Sequence, residues 1–144
     1  MDVISFENCT CFNLRKAARV VTQVYDEALK PAGLRATQFS LLAMISGMGP
    51  ITITQLSKQM VMDRTTLTRN LKPLISLDYV RMAVGEDRRQ RSVELTPEGH
   101  NCLEKATSLW ADVQKDVAAS LGSKKWNDLM KSLGDAIDTA QDQI

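Results

Sequence analysis

Between Phe6 and Lys30 the apolar residues return at a helical spacing. Cys11, Leu14, Ala18, Val21, Tyr25 and Leu29 fall on one stripe, widened by Phe6, Ala17, Val20 and Val24. Pro31 and Gly33 predict its end. The stretch "ATQFSLLAMISG" predicts a second, strongly apolar helix that stops at Gly47. Thr52, with Gln55 three positions on, has the pattern of a capping box for a short helix over about 53–60. Asp63 is placed to cap another, over about 64–78. In that helix Leu67, Leu71, Leu74 and Ile75 share a face that should dock on a core. Pro73 predicts the loss of one backbone bond and a bend costing ~3 kcal/mol.

The period then changes from 3.6 to 2. Val80, Met82 and Val84 alternate with Arg81 and Ala83, and Val93 and Leu95 alternate with Ser92 and Glu94, so a β-hairpin with one buried face is expected around the glycine-led "GEDRRQ". Thr96 and Pro97 open a long helix to about Leu121, Gly122 and Ser123 interrupt it, and a last helix runs from Lys124 to near the C-terminus. This order predicts a mainly α fold with a small β-wing, a winged helix-turn-helix flanked by helices at both ends. We expect one domain over residues 1–144, with a reading lobe at about 36–96 and outer helices at about 5–30 and 97–144. The outer helices carry two further stripes: Leu103, Ala106, Trp110, Val113, Val117 and Leu121, then Trp126, Met130, Leu133, Ile137, Ala140 and Ile144. A small core has too little surface to cover three such faces, which predicts packing against a second copy, a homodimer.

Composition narrows the class. The formal net charge is only +1, yet residues 51–96 hold eight Lys or Arg against five Asp or Glu, while residues 97–144 hold five against eight. A segregated field of this kind orients an anionic partner that net charge alone would hardly attract. No apolar run reaches the ~18 residues of a membrane span, because Gly47, Gly49 and Pro50 break the best candidate. The opening "MDVISFENCTCF" has no signal-peptide pattern, and three cysteines, an odd number, suit thiols better than a disulfide framework. A cytoplasmic protein is expected.

The face of the 64–78 helix opposite its leucines presents Arg64, Thr65, Thr66, Thr68, Arg69 and Lys72. Hydroxyls and forked guanidinium groups are what reading base edges and gripping phosphates requires. At the hairpin tip, Arg88, Arg89 and Arg91 would reach the adjacent minor groove, and Asp87 would orient Arg89 by a charge-assisted bond. The partner expected is double-stranded DNA. Two other classes stand beside this reading: a winged-helix protein-interaction module without DNA binding, and a small thiol oxidoreductase using "CTC". The chain offers no phosphate loop, no nucleophile with its base and no paired carboxylates for acid and base work. No enzyme is therefore expected. Cys9 and Cys11, and likewise His100 and Cys102, are two apart and splay on a helix, so neither a metal site nor a cofactor is expected.

"DRTTLTRNLKPL", then "YV", then "EDRRQRSVELTPEG" together resemble the MarR family, the multiple-antibiotic-resistance regulators, over essentially the whole chain. The segment from Asp87, Arg88 and Arg89 through Leu95, Thr96 and Gly99 is the most specific part. The resemblance implies a dimeric repressor or activator on a palindromic operator, with the helix at Arg64 in the major groove and Arg89 in the minor groove. Half-sites would lie about one turn, ~34 Å, apart. The segment "CFNLRKAARVVTQVYDEAL" resembles the first helix of the family's organic-hydroperoxide sensors, whose reactive thiol falls on Cys11 and one sensing tyrosine on Tyr25; two further tyrosines of those sensors are Arg15 and Ala36 here. Arg15, Lys16 and Arg19 would favour a thiolate, the form a peroxide oxidises. Cys11 stays open between that role and that of a small apolar core residue. The family's other habit implies an effector that is a small, often aromatic anion held between the dimerising helices and the reading lobe.

Overall fold

Leu29, Leu42, Leu56, Leu67, Leu74, Val93 and Ala106 are wholly buried, and they come from five helices and one strand that meet in a single core. The computed structural model describes residues 5–84 and 90–144. Their elements are α1 (Thr10–Leu29), α2 (Ala36–Met48), β1 (Ile51–Thr52), α3 (Ile53–Gln59), α4 (Arg64–Ser76), β2 (Val80–Val84), β3 (Arg91–Leu95), α5 (Pro97–Leu121) and α6 (Ser123–Gln141). The mainly α winged-helix fold expected from the sequence is the one found. Among the described residues no helix is long and apolar enough to cross a membrane.

The chain forms two compact units, Met1–Trp110 and Ala111–Ile144. In the first, the caps form as the sequence predicts. Thr52 Oγ1 accepts the Gln55 N–H at 3.1 Å, while Gln55 Oε1 accepts the Thr52 N–H at 3.3 Å. The sheet has the order β1-β3-β2, all antiparallel, with Ile51 opposite Val93 and Val80 opposite Leu95. Strand β1 was not anticipated: it is two residues long, too short to alternate, and Thr52 is also the cap of α3. Helix α4 runs unbroken through Pro73, and Pro73 O accepts the Leu77 N–H that ends it. Its buried line is Leu67, Leu71 and Leu74. Ile75, expected on that face, is 40% exposed, because it lies ~70° round the helix from the centre of that line, at its edge.

A joint behind α4 locks the wing in place. Asp78, in the left-handed region at φ 60°, turns the chain from α4 into β2. The Thr96 N–H then donates to Tyr79 O at 3.1 Å, the Thr96 hydroxyl donates to Asp78 O, and the same hydroxyl accepts the Gly99 N–H at 2.9 Å. Helix α5 presses so close here that a Cβ on Gly99 would overlap the Tyr79 carbonyl.

In the second unit Gly122, at φ 82°, separates the end of α5 from α6. Val113, Val117, Trp126 and Leu133 are half-buried, and α6 has no fully buried residue. Met130 and Ile137 stay 42% and 49% exposed, and on α1 Val20 and Val21 stay 58% and 49% exposed. Leu29 and Ala106 bury one part of the α1 and α5 stripes in the core, whereas Val20, Val21, Met130 and Ile137 are left exposed within one chain.

The joint yields a first prediction. Gly99→Ala should cost ~1–3 kcal/mol, since the clash is with backbone and not with a movable side chain. Thr96→Val should cost a similar ~1–3 kcal/mol, leaving a carbonyl and an N–H without partners. Urea denaturation of both variants measures this. Stabilities equal to the parent's would show that the joint does not hold the fold.

Candidate nucleic-acid interface

The exposed side of α4 begins at its cap. Asp63 Oδ1 accepts the Thr66 N–H at 2.7 Å, and Asp63 Oδ2 accepts the Thr66 hydroxyl at 3.1 Å. These two bonds hold the Asp63 carboxyl below its usual range against an opposing effect of desolvation, with lesser help from the Thr65 N–H and the Arg69 charge. Thr66 is thereby committed to the cap, half-buried, and is the one expected reading residue whose hydroxyl is bonded inward. Thr65, Thr68, Arg69 and Lys72 are exposed on the side away from Leu67, Leu71 and Leu74, and Arg64, in the first turn, is exposed as well. The Thr68 hydroxyl donates to Arg64 O at 2.8 Å, which leaves its oxygen lone pairs outward as acceptors.

On the hairpin, Arg91 opens β3 and is exposed. Arg81 Nε donates to Glu94 Oε1 at 2.9 Å across β2 and β3, so this arginine is neutralised in place. Asp87, Arg88 and Arg89, expected at the wing tip, lie outside the described residues.

A further basic group escaped the sequence reading. Arg35 precedes α2, and its N–H donates to Gln38 Oε1 at 2.9 Å. With Thr37 and Gln38 it faces Arg69 and Asn70 of α4 across a cleft of about 360 Å3, whose apolar lining is Leu41 and Pro73. The signal available was a lone arginine before a strongly apolar helix, which pattern alone does not connect to α4.

The possible sensing residues sit on α1. Cys11 is exposed, so within one chain it is not a core residue. Cys9 lies just outside the helix as its N-cap, Sγ accepting the Phe12 N–H at 3.4 Å, and so it does not share the helical geometry assumed for the pair. Tyr25 is half-buried, and burial pushes its phenol upward. Fourteen positions along one helix put Cys11 and Tyr25 ~21 Å apart. A single chain does not bring them together. The Cys102 thiol donates to Ala32 O at 3.6 Å, whereas His100 is exposed.

Comparison with known proteins places this geometry. The MarR family model matches residues 32–90. The chain is similar to the HTH-type transcriptional regulator SarZ of Staphylococcus haemolyticus, 32% identical over 127 residues covering 88% of this chain and 85% of that one. It is 28% identical over 109 residues to the organic hydroperoxide resistance transcriptional regulator of Bacillus subtilis, covering 75% and 74%. Among solved structures, the M. tuberculosis transcriptional regulator MosR in complex with DNA is 41% identical, with a TM-score of 0.80 over 92% of this chain and 98% of that one.

The cap makes a pH prediction. A carboxyl whose pKa is lower folded than unfolded stabilises above its unfolded pKa, about 4, and that contribution disappears as pH falls through the folded value. Asp63→Ala should therefore lower the Tm between pH 5 and 7 by a constant amount, and the gap to the parent should narrow below about pH 4. A gap that is independent of pH down to 3 would contradict the charged cap.

Proposed function

The chain belongs to the MarR family, and from that premise we propose that it is a transcriptional regulator that binds operator DNA as a homodimer in the cytoplasm. It is a regulator and not an enzyme. The observation that carries the reading is the two-sided character of α4: three buried leucines fix it to the core, and Thr65, Thr68, Arg69 and Lys72 stand free on the other side, with Arg64 exposed in the first turn. A protein-interaction module has no need of that chemistry. Arg88, Arg89 and Arg91 would enter the minor groove, with Asp87 orienting Arg89. The uncovered apolar residues of α1 and α6 support the homodimer, since in one chain they face water. Two copies of α4 related by a two-fold axis call for a palindromic site.

A second element of the proposal concerns the signal. Cys11 is exposed near the start of α1, and a relative 28% identical to this chain is named for organic hydroperoxide resistance. Oxidation of Cys11, with Tyr25 supplied by the second copy, would change the interface that sets the spacing of the two α4 helices. A small aromatic anion held between the dimerising helices and the reading lobe is the other effector proposed.

The test is a fluorescence-anisotropy titration of the reduced protein on the DNA upstream of its own gene, over a range of salt. Affinity should fall steeply with salt. Lys72→Ala should weaken specific and random duplexes alike, and Arg89→Ala should cost ~1–3 kcal/mol on an A·T-flanked site with the dimer intact. No binding at low salt would sink the DNA reading.

Mild organic hydroperoxide should release the protein, and re-reduction should restore binding. Cys11→Ser should bind normally and ignore the oxidant. A Cys11→Ser protein that still responds would refute the thiol switch and leave the small anion.

A further inference from the structure

Arg35 and Arg69 both line one cleft, and among the described residues neither closes an ion pair. The acids nearby are engaged elsewhere. Asp26 Oδ1 accepts the Ala36 N–H at 2.7 Å, and both oxygens of Asp63 are bonded to Thr66, so that Arg69 feels the Asp63 charge without bonding to it. Thr37, Gln38 and Asn70 line the same cleft, the Asn70 amide also donating to Met62 Sδ at 3.5 Å. Gln38 already accepts the Arg35 N–H through Oε1, so its remaining polar atom is an NH2 donor. Two like charges beside hydroxyl and amide donors are complementary to a tetrahedral oxyanion.

The occupant follows from exposure and from the neighbouring residues. A pocket for a free small ligand encloses most of it and is lined mainly by apolar groups. Here Arg35, Thr37 and Arg69 are all exposed, and the lining is mostly polar. Arg69 also lies one helical turn from Thr65 and three residues from Lys72, on the element that carries the reading face. We propose that Arg35 and Arg69 together clamp one backbone phosphate beside the bases that α4 reads, which makes the start of α2 a third DNA-contacting element beside α4 and the wing. The clamp rests on the DNA-binding reading above and assigns a residue, Arg35, that lies outside α4 and the wing.

The experiment compares the full-length parent with Arg35→Gln and Arg35→Lys on the upstream duplex and on a random duplex, across salt. Arg35→Gln should weaken both duplexes by the same factor, roughly tenfold. Its slope of log affinity against log salt should be shallower by about two for the dimer, one for each half-site. Arg35→Lys, which keeps the charge but not the fork, should retain the parent slope and lose less affinity. Thermal midpoints matching the parent's would show that the variants are folded, as the exposed position of Arg35 leads one to expect.

If the parent binds and Arg35→Gln keeps both its affinity and its salt slope, the clamp is overturned while the DNA reading stands. A parent that binds neither duplex overturns both. Calorimetric titration of the free protein with inorganic phosphate separates the remaining source: an Arg35-dependent Kd below ~1 mM would assign the cleft to a free anion and overturn the backbone contact.

Discussion

The reading surface depends on the hydroxyl of Thr96. It donates to Asp78 O just after α4 and accepts the Gly99 N–H in the first turn of α5, while the Thr96 N–H bonds Tyr79 O at the start of the wing. Helix, hairpin and following helix are thereby joined at one buried residue, whose hydroxyl and N–H both bond backbone groups. A DNA-binding lobe needs this rigidity, because its wing and its helix must meet two grooves in fixed register. The absence of a side chain at Gly99 permits the close approach. The left-handed turn at Asp78 lets β2 begin after only three residues beyond the end of α4.

From that joint the rest of the lobe follows by burial. Leu67, Leu71 and Leu74 on one line of α4 meet Leu42, Ile45 and Leu56, and Val93 of the central strand closes the core from the other side. The buried apolar residues of α4 all lie on that line, so its opposite side is free to be polar without cost to the fold. Pro73 fits the same logic. It is exposed and near the C-terminal end of α4, where one missing N–H affects only the last turn.

Local chemistry made much of this legible from the sequence. The Thr52–Gln55 box, the Asp63 cap, the change of period at Val80 and the Thr96-Pro97 start each involve residues within a few positions of one another, and each forms as expected. What was not legible depends on distance along the chain or on having too few residues to form a pattern. Strand β1 is two residues long and exists only because Ile51 and Thr52 pair with Val93 and Ser92. Ile75 looked like a fourth core residue because a stripe has no sharp edge in sequence, whereas a packed seam does. Arg35 and Arg69 are 34 positions apart, and only the packing of α2 on α4 brings them to one cleft. Cys9 and Cys11 read as a splayed helical pair until the helix was seen to start between them.

The contact between α1 and α2 bears on how a signal would reach DNA. Asp26, next to Tyr25 on α1, accepts the Ala36 N–H at the start of α2, one residue from Arg35. On the proposed reading, α1 therefore contributes both to the interface between copies and to the placement of a phosphate-binding arginine. A ligand or an oxidised thiol at α1 shifts DNA affinity only by its own preference for one arrangement over the other, and a hundredfold release requires ~2.7 kcal/mol of such preference. A change in the spacing of two α4 helices and the loss of two symmetry-related phosphate clamps draw on the same displacement of α1. Each clamp then has to supply only part of that difference, which is within the range of one charge-assisted bond per half-site.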